Sequence, residues 1–320
     1  TPKELEKCFK HTLAEIEQIK PKLVVTLGRH SLYSVSGKQG IGNYVGKLFY
    51  SDKIKCNVFP VFHPMAIGYD PSKAKTLKSM FKQIPTMINA TPPKIYHHSY
   101  TTITTIEEFK EAYEFLSQAN TLYFYIETDG LDPFTNIITL LQIGITKPKN
   151  IYIIDGELIP KIRDDLNILF TTKDVVGQDF AFDAKFLALK ANLLPKHWNF
   201  DTCLAEFLIS GMKNNDLTFL TSKYAPESLG YDDKVIEIGG AHLVQDKEEL
   251  RQYAANDIGV LFKIHRQQYK YLSKYNMLDL YNNITMPCNK VLTKMSLRGI
   301  KYDLTQLNKV DNIYKKREEK

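Results

Sequence analysis

Four stretches of this chain carry a carboxylate where such a group can do chemistry. Leu122 to Pro133 reads LYFYIETDGLDP, a run of strand-forming residues ending in Glu127 ahead of a Gly-containing turn. Asp183 lies in GQDFAFDAKFL, one turn into a predicted helix that follows a strand, and Asp201 opens FDTCLAEFL. Asp257 lies in YAANDIGVLF, four residues after Tyr253, and that spacing puts both on one face of a helix. A strand that ends in a carboxylate beside a tight turn can hold a metal at a sheet edge. Phosphodiester hydrolysis needs an ionised nucleophile and a charge clamp on the leaving oxygen, and two divalent ions about 4 Å apart supply both. Carboxylates from separate segments converge tolerably only around cations, and a phenol beside them can orient a water. Each residue alone has a plainer reading, as a solvated helix position, a cap or a surface Tyr–Asp pair. Their order and local contexts are what join them.

The elements that must position these groups follow from periodicity. Helical spacing over 3–20 (Leu5, Phe9, Leu13, Ile16) ends at Pro21, and LVVTL predicts a buried strand before Gly28. Strands are predicted over 47–50 and 57–62, the second closed by His63-Pro64, and a helix over 71–88. Residues 89–105 read as a linker or joining strand, with a boundary near 93. Beyond it come a helix over 106–118 and strands at 122–127, 137–145 and 151–154, whose short spacing predicts an antiparallel meander. A helix over 158–170, a short strand at 175–176 and a helix over 181–191 follow, and from Asp201 the pattern is mostly helical.

Composition bounds the class. The 320 residues suit two domains, and 43% apolar with 24% charged content is ordinary for a globular chain. A net charge of +6 permits a nucleic-acid partner without demanding one. Cys8, Cys56, Cys203 and Cys288 form no CxxC pair, which argues for reduced thiols in a cytosol-like compartment. No apolar run reaches transmembrane length, so no membrane partner is expected. Both ends read as cut from something longer.

The order IETDGLDP, VVGQDFAFDAKFL, FDTCLAEFL, YAANDIGVLFKI resembles the DEDD-type 3′–5′ exonuclease domain in its Tyr-containing subclass, over roughly residues 95–275. Within that superfamily it is similar to the proofreading domain of family-A DNA polymerases. The resemblance implies a ribonuclease-H-like α/β fold with a mixed sheet, and Mg²⁺ or Mn²⁺ as cofactor. It implies that Glu127 and Asp257 bind the nucleophile-side metal, that Asp183 supports the second, and that Tyr253 orients the attacking water. Asp179 and Phe182 are then expected to meet single-stranded DNA at a primer 3′ end, and Asp201 to be structural. Two positions depart from the family. Tyr125 stands where a bridging Asp is expected, two residues before Glu127, and Asp179 stands where Asn is usual. A neutral phenol bridges no metals, so hydrolysis is expected to be weak or abolished. Asp129 is a candidate substitute, since it shares the strand parity of Glu127.

The first unit resembles the C-terminal half of a family-4-type uracil-DNA glycosylase, a small parallel α/β unit, through Cys8, PKLVVTLG and the His63-Pro64 loop. That likeness implies a DNA contact for His63 and an iron–sulfur ligand in Cys8, although one cysteine cannot hold a cluster. ITMPCNKVLTKMSLRGIKYD (284–303) resembles the segment joining exonuclease to polymerase in family-A enzymes. The expected organisation is a glycosylase-like unit over 1–92, an exonuclease domain over 93–278, and the start of a polymerase domain over 279–320. Some phage-encoded polymerases are similar to this arrangement, which would place the protein in a host cytoplasm among other replication proteins. A non-catalytic DNA- or partner-binding module is the alternative, and an RNA-trimming exonuclease a further one. Basic and aromatic residues interleave in IHRQQYKYLSKY (264–275), a pattern that suits single-stranded DNA or a solvated helix face.

Overall fold

Three strands form the first sheet of the computed structural model, which describes residues 2–71, 73–92, 97–211 and 215–318, without the side chains of 2–8 and 43. They are β1 (Val24–Leu27), β2 (Phe49–Ser51) and β3 (Cys56–Val61), in the order β1-β3-β2. β1 runs parallel to β3, as expected of this unit, but β2 runs antiparallel to it. Residues 52–55 alone join β2 to β3, and so short a link permits only a hairpin. Helices Pro2–Ile19, Arg29–Ser36 and Lys73–Met87 cover the sheet, with Phe59, Val61 and Leu77 buried on one side and Val35, Ile54 and Val58 on the other. Gly28 turns the chain out of β1 at φ +84°, and a Cβ there would lie 3.0 Å from the Cβ of His63. The side chain of Cys8 and the expected boundary near 93 lie outside the described residues.

The second sheet has six strands in the order β4-β7-β6-β5-β8-β9. They are β4 (Thr101–Ile103), β5 (Thr121–Thr128), β6 (Ile138–Thr146), β7 (Lys149–Asp155), β8 (Asp174–Gly177) and β9 (Trp198–Asp201). β5, β6 and β7 make the predicted antiparallel meander, while β8 and β9 add in parallel beyond β5 and β4 in parallel beyond β7. The sheet is therefore mixed, and the chain is α/β throughout. Thr105 and Glu108 close a capping box at the start of the helix Ile106–Gln118, which fixes where β5 can begin.

Alternation along β5 sorts its side chains between two layers. Phe124 packs edge-on against Phe170 and Phe180 on one face. Tyr123, Tyr125 and Glu127 share the other face, where the long helix Lys247–Lys274 lies across the sheet. Gly144, opposite Tyr123, permits this approach. A Cβ there would come within 2.3 Å of Ile258 and 2.8 Å of Phe262. Tyr281 and Met286, past the expected boundary at 278, are buried in the same core. The Tyr281 hydroxyl receives the Asp201 N–H at 2.6 Å, and Asp201's carbonyl lies 2.9 Å from it. The helix Leu304–Glu318 is exposed along its whole length. No helix among the described residues is long and apolar enough to cross a membrane.

One buried cation ties the two units together. Lys47, 4% exposed, lies 3.5 Å from both Asp232 and Asp233. Nearby, Lys38 reaches Asp233 at 3.4 Å and Glu237 at 2.9 Å.

Candidate active site

Glu127, Asp183 and Asp257 come from three segments, and the sheet order brings them together. Glu127 is at the end of β5, where the β5–β6 register shifts between Glu127 and Thr128. Asp183 lies in the helix Phe180–Phe186 that follows β8, and β8 is the parallel neighbour of β5. The two segments therefore emerge at the same end of the sheet, because parallel neighbours finish on the same side. Asp257 is fully buried in the long helix that crosses the face carrying Glu127. Tyr125 stands among the three. Burial first, then the charges of Asp257, Asp183 and Glu127, push its phenol well above the ordinary value. It is a neutral group at the centre of the acids.

Burial also governs the acids. It pushes Glu127 well above the usual carboxylate range, the Asp257 charge adds to that, and Gln142 opposes it. Gln142 is the cross-strand partner of Tyr125 and is itself buried, and no hydrogen bond of full geometry reaches either of its amide atoms. Asp183 is likewise raised by burial, then by Asp179 and Glu127. Asp257 is pushed up to about 8, chiefly by burial, while the Tyr231 and Tyr253 hydroxyls favour its charged form. One oxygen on each acid, Glu127 Oε1, Asp183 Oδ2 and Asp257 Oδ2, is buried without a hydrogen-bond partner. Unpartnered buried carboxylate oxygens are costly, and hard divalent cations are the partners that suit them. Among the described residues, however, no three His, Cys, Asp or Glu side chains are placed to hold one ion jointly. Tyr125 adds bulk between the acids and contributes no carboxylate of its own.

The expected Tyr253–Asp257 pairing is present, and a second phenol joins it. Tyr231 donates to Asp257 Oδ1 at 2.5 Å, and its ring centroid lies 5.9 Å from that of Tyr253. Nothing periodic marks Tyr231 in the sequence; the residue follows Gly230, which turns the chain at φ +91°. Its neighbour Asp232 is the residue paired with Lys47, so one short segment touches both the candidate site and the other unit.

Asp201 is a structural organiser. Its carboxylate accepts the N–H groups of Cys203 (2.9 Å) and Leu204 (3.3 Å) at the head of its own helix, and of Asp179 (3.3 Å) and Phe180 (2.9 Å) at the head of the preceding one. Asp179 adopts φ +47°, a left-handed conformation that Asn and Asp tolerate best. Phe182 is half-buried with its ring 4.9 Å from Phe186. Asp129 does not substitute for Tyr125. β5 ends at Thr128, so Asp129 lies in the turn beyond the strand, and its carboxylate instead accepts the Ile137 N–H at 2.7 Å. His63 lies in the first unit, exposed, with Nδ1 accepting the Met65 N–H at 3.2 Å.

The uracil DNA glycosylase superfamily pattern matches residues 1–85. DNA polymerase I of Borreliella burgdorferi is 29% identical over 243 residues, which is 71% of this chain and 26% of that protein. The type-4 uracil-DNA glycosylase of Saccharolobus solfataricus is 34% identical over 97 residues, 28% of this chain and 44% of that protein. The chain thus spans about a quarter of the polymerase and under half of the glycosylase. Among solved structures, the POL domain of Pol1 from M. smegmatis, complexed with DNA primer-template and dNTP, superposes with a TM-score of 0.54 at 16% identity. The match covers 67% of this chain and 35% of that one, a likeness of fold. The 3′–5′ exonuclease pattern of the DNA polymerase A type matches residues 100–273, more than half of the chain, and the chain belongs to that family.

Proposed function

We propose that the chain is the N-terminal part of a family-A DNA polymerase, with an exonuclease unit of the Tyr-containing subclass that binds the 3′ end of DNA. Tyr125 impairs its phosphodiester hydrolysis. The observation that carries this reading is the set of three unpartnered carboxylate oxygens, on Glu127, Asp183 and Asp257, gathered around a neutral phenol. Glu127 and Asp257 would hold one Mg²⁺ or Mn²⁺ ion and Asp183 would support a second, so no single ion needs all three. A bound divalent ion lowers the pKa of its water and offsets charge on the leaving oxygen.

The remaining roles belong to the protein. Tyr253 presents its hydroxyl beside Asp257 and orients the attacking water. Tyr231 holds the Asp257 carboxylate by one oxygen, which leaves Oδ2 facing the site. Tyr125 fills space where a carboxylate would spread charge between two sites. Asp179 and Phe182 lie beside Asp183 and meet the terminal nucleotides.

The test is 3′-end degradation of labelled single-stranded DNA by the parent chain and by Tyr125→Asp, in Mg²⁺ and in Mn²⁺. The expected result is a nearly inert parent and an active variant. A parent that degrades the strand as fast as a working proofreading enzyme overturns the impaired-site reading. Preferential binding of an RNA 3′ end would redirect the substrate assignment from DNA to RNA.

A further inference from the structure

At the opposite end of the sheet from the carboxylates, where β5 and β8 begin and β6 ends, a cavity of about 830 Å³ opens beneath the long helix. Its size is in the range of small-ligand sites. The floor is aromatic. Tyr123 meets Phe262 edge-on at 4.6 Å, the Tyr123 hydroxyl lies 2.9 Å from His265 Nδ1, and Phe200 lies 4.4 Å from the His265 ring. Burial lowers His265 to about 4, so the floor carries no charge near neutral pH.

The rim is cationic. Arg266 and Lys270 sit on the exposed stripe of the long helix, and Lys147 and Lys149 face them from the β6–β7 turn. Among the described residues no ion pair engages any of these four, whereas Lys263 beside them is paired with Glu227. Lys149 Nζ lies 3.5 Å from His98 Nδ1. Asp174 is the one carboxylate in the lining, and it accepts the Asn199 amide at 2.5 Å. An uncharged aromatic floor under unpaired cations matches a molecule with a flat aromatic face and an anionic group at one side.

We propose that this cavity binds a nucleotide, free or as one unit of single-stranded DNA, with its base on the aromatic floor and its phosphate between Arg266–Lys270 and Lys147–Lys149. The site is independent of the exonuclease reading, since it shares no residue with the carboxylate cluster. It gives a use to the basic and aromatic run 264–275 that hydrolysis does not.

The experiment titrates the full chain, carrying Asp183→Asn and Asp257→Asn and kept in EDTA to silence the other site, into a fluorescently labelled oligothymidylate. Unlabelled dTMP serves as competitor. Adding Arg266→Glu and Lys270→Glu should weaken binding about tenfold or more and flatten its salt dependence. Arg266→Lys with Lys270→Arg should keep it. Both pairs are exposed, and unchanged melting temperatures confirm that they fold. Competition by dTMP identifies the free nucleotide as ligand, and oligomer binding without competition identifies the strand. Binding that the charge reversal leaves intact, or no binding of either probe, overturns the proposal.

Discussion

Replacing Tyr125 by Asp should make the metal-free protein less stable and the metal-loaded protein active. Tyr125 is a half-buried aromatic amid the acids, and truncating a core aromatic costs about 3–5 kcal/mol. The lower end applies here because the ring is not fully enclosed. The new carboxyl joins three whose protonation burial already favours, so without a cation it adds repulsion or binds a proton. A net loss of about 3 kcal/mol corresponds to roughly 6–12 °C in melting temperature for a unit of this size. A cation at about 100 times its Kd returns about 2.7 kcal/mol, most of the deficit. The parent should gain less than about 1 kcal/mol, because its acids are split by the phenol. Restoring one group that stabilises the developing charge should raise the exonuclease rate about 10²–10³-fold. Melting curves in EDTA and in saturating Mg²⁺, run beside the nuclease assay, measure both. A variant whose melting point responds to Mg²⁺ no more than the parent's, and which leaves the strand intact, refutes the reasoning.

Three other perturbations test the positioning network. Asp257 has its folded value near 8 against about 4 when unfolded, so the folded state holds the extra proton between these values and stability falls as pH rises through that window. In EDTA, Asp257→Asn should therefore match the parent near pH 4 and exceed it increasingly as pH rises, by up to about 5 kcal/mol toward pH 8 in urea unfolding; a pH-independent difference would contradict the linkage. Lys47→Met leaves the buried Asp232 without its cation, while Lys38 still pairs with Asp233, at a cost of about 3 kcal/mol. Adding Asp232→Asn and Asp233→Asn should recover part of that loss, and simple additivity of the separate costs would show that the three do not interact. Asp201→Ala strips four backbone N–H groups of their acceptor and should cost about 2–4 kcal/mol by denaturant titration. Asp201→Asn should cost less, and equal losses would mean that hydrogen bonding at this residue is not what holds the two helix heads.

Local periodicity determined much of the site from the sequence alone. Alternation along LYFYIETDG put Tyr125 and Glu127 on one face, and four-residue spacing put Tyr253 beside Asp257, because side-chain direction in a strand or helix depends only on position. The antiparallel meander followed from strand spacing. Tertiary structure decided what depends on pairing between distant segments. Asp183 reaches Glu127 only because β8 docks in parallel on β5, a choice of sheet neighbour that carries no local signature. The strand ends at Thr128, and Asp129 turns away to accept the Ile137 N–H, against its formal parity. Tyr231 bonds Asp257 from 26 positions away, and Lys47 meets Asp232 across the two units, through loops whose path no periodic pattern encodes. Tyr125 shows both limits at once. Its identity and face are written in the chain, but its place among the three carboxyl groups, where it offers a phenol instead of a metal-binding carboxylate, exists only in the folded molecule.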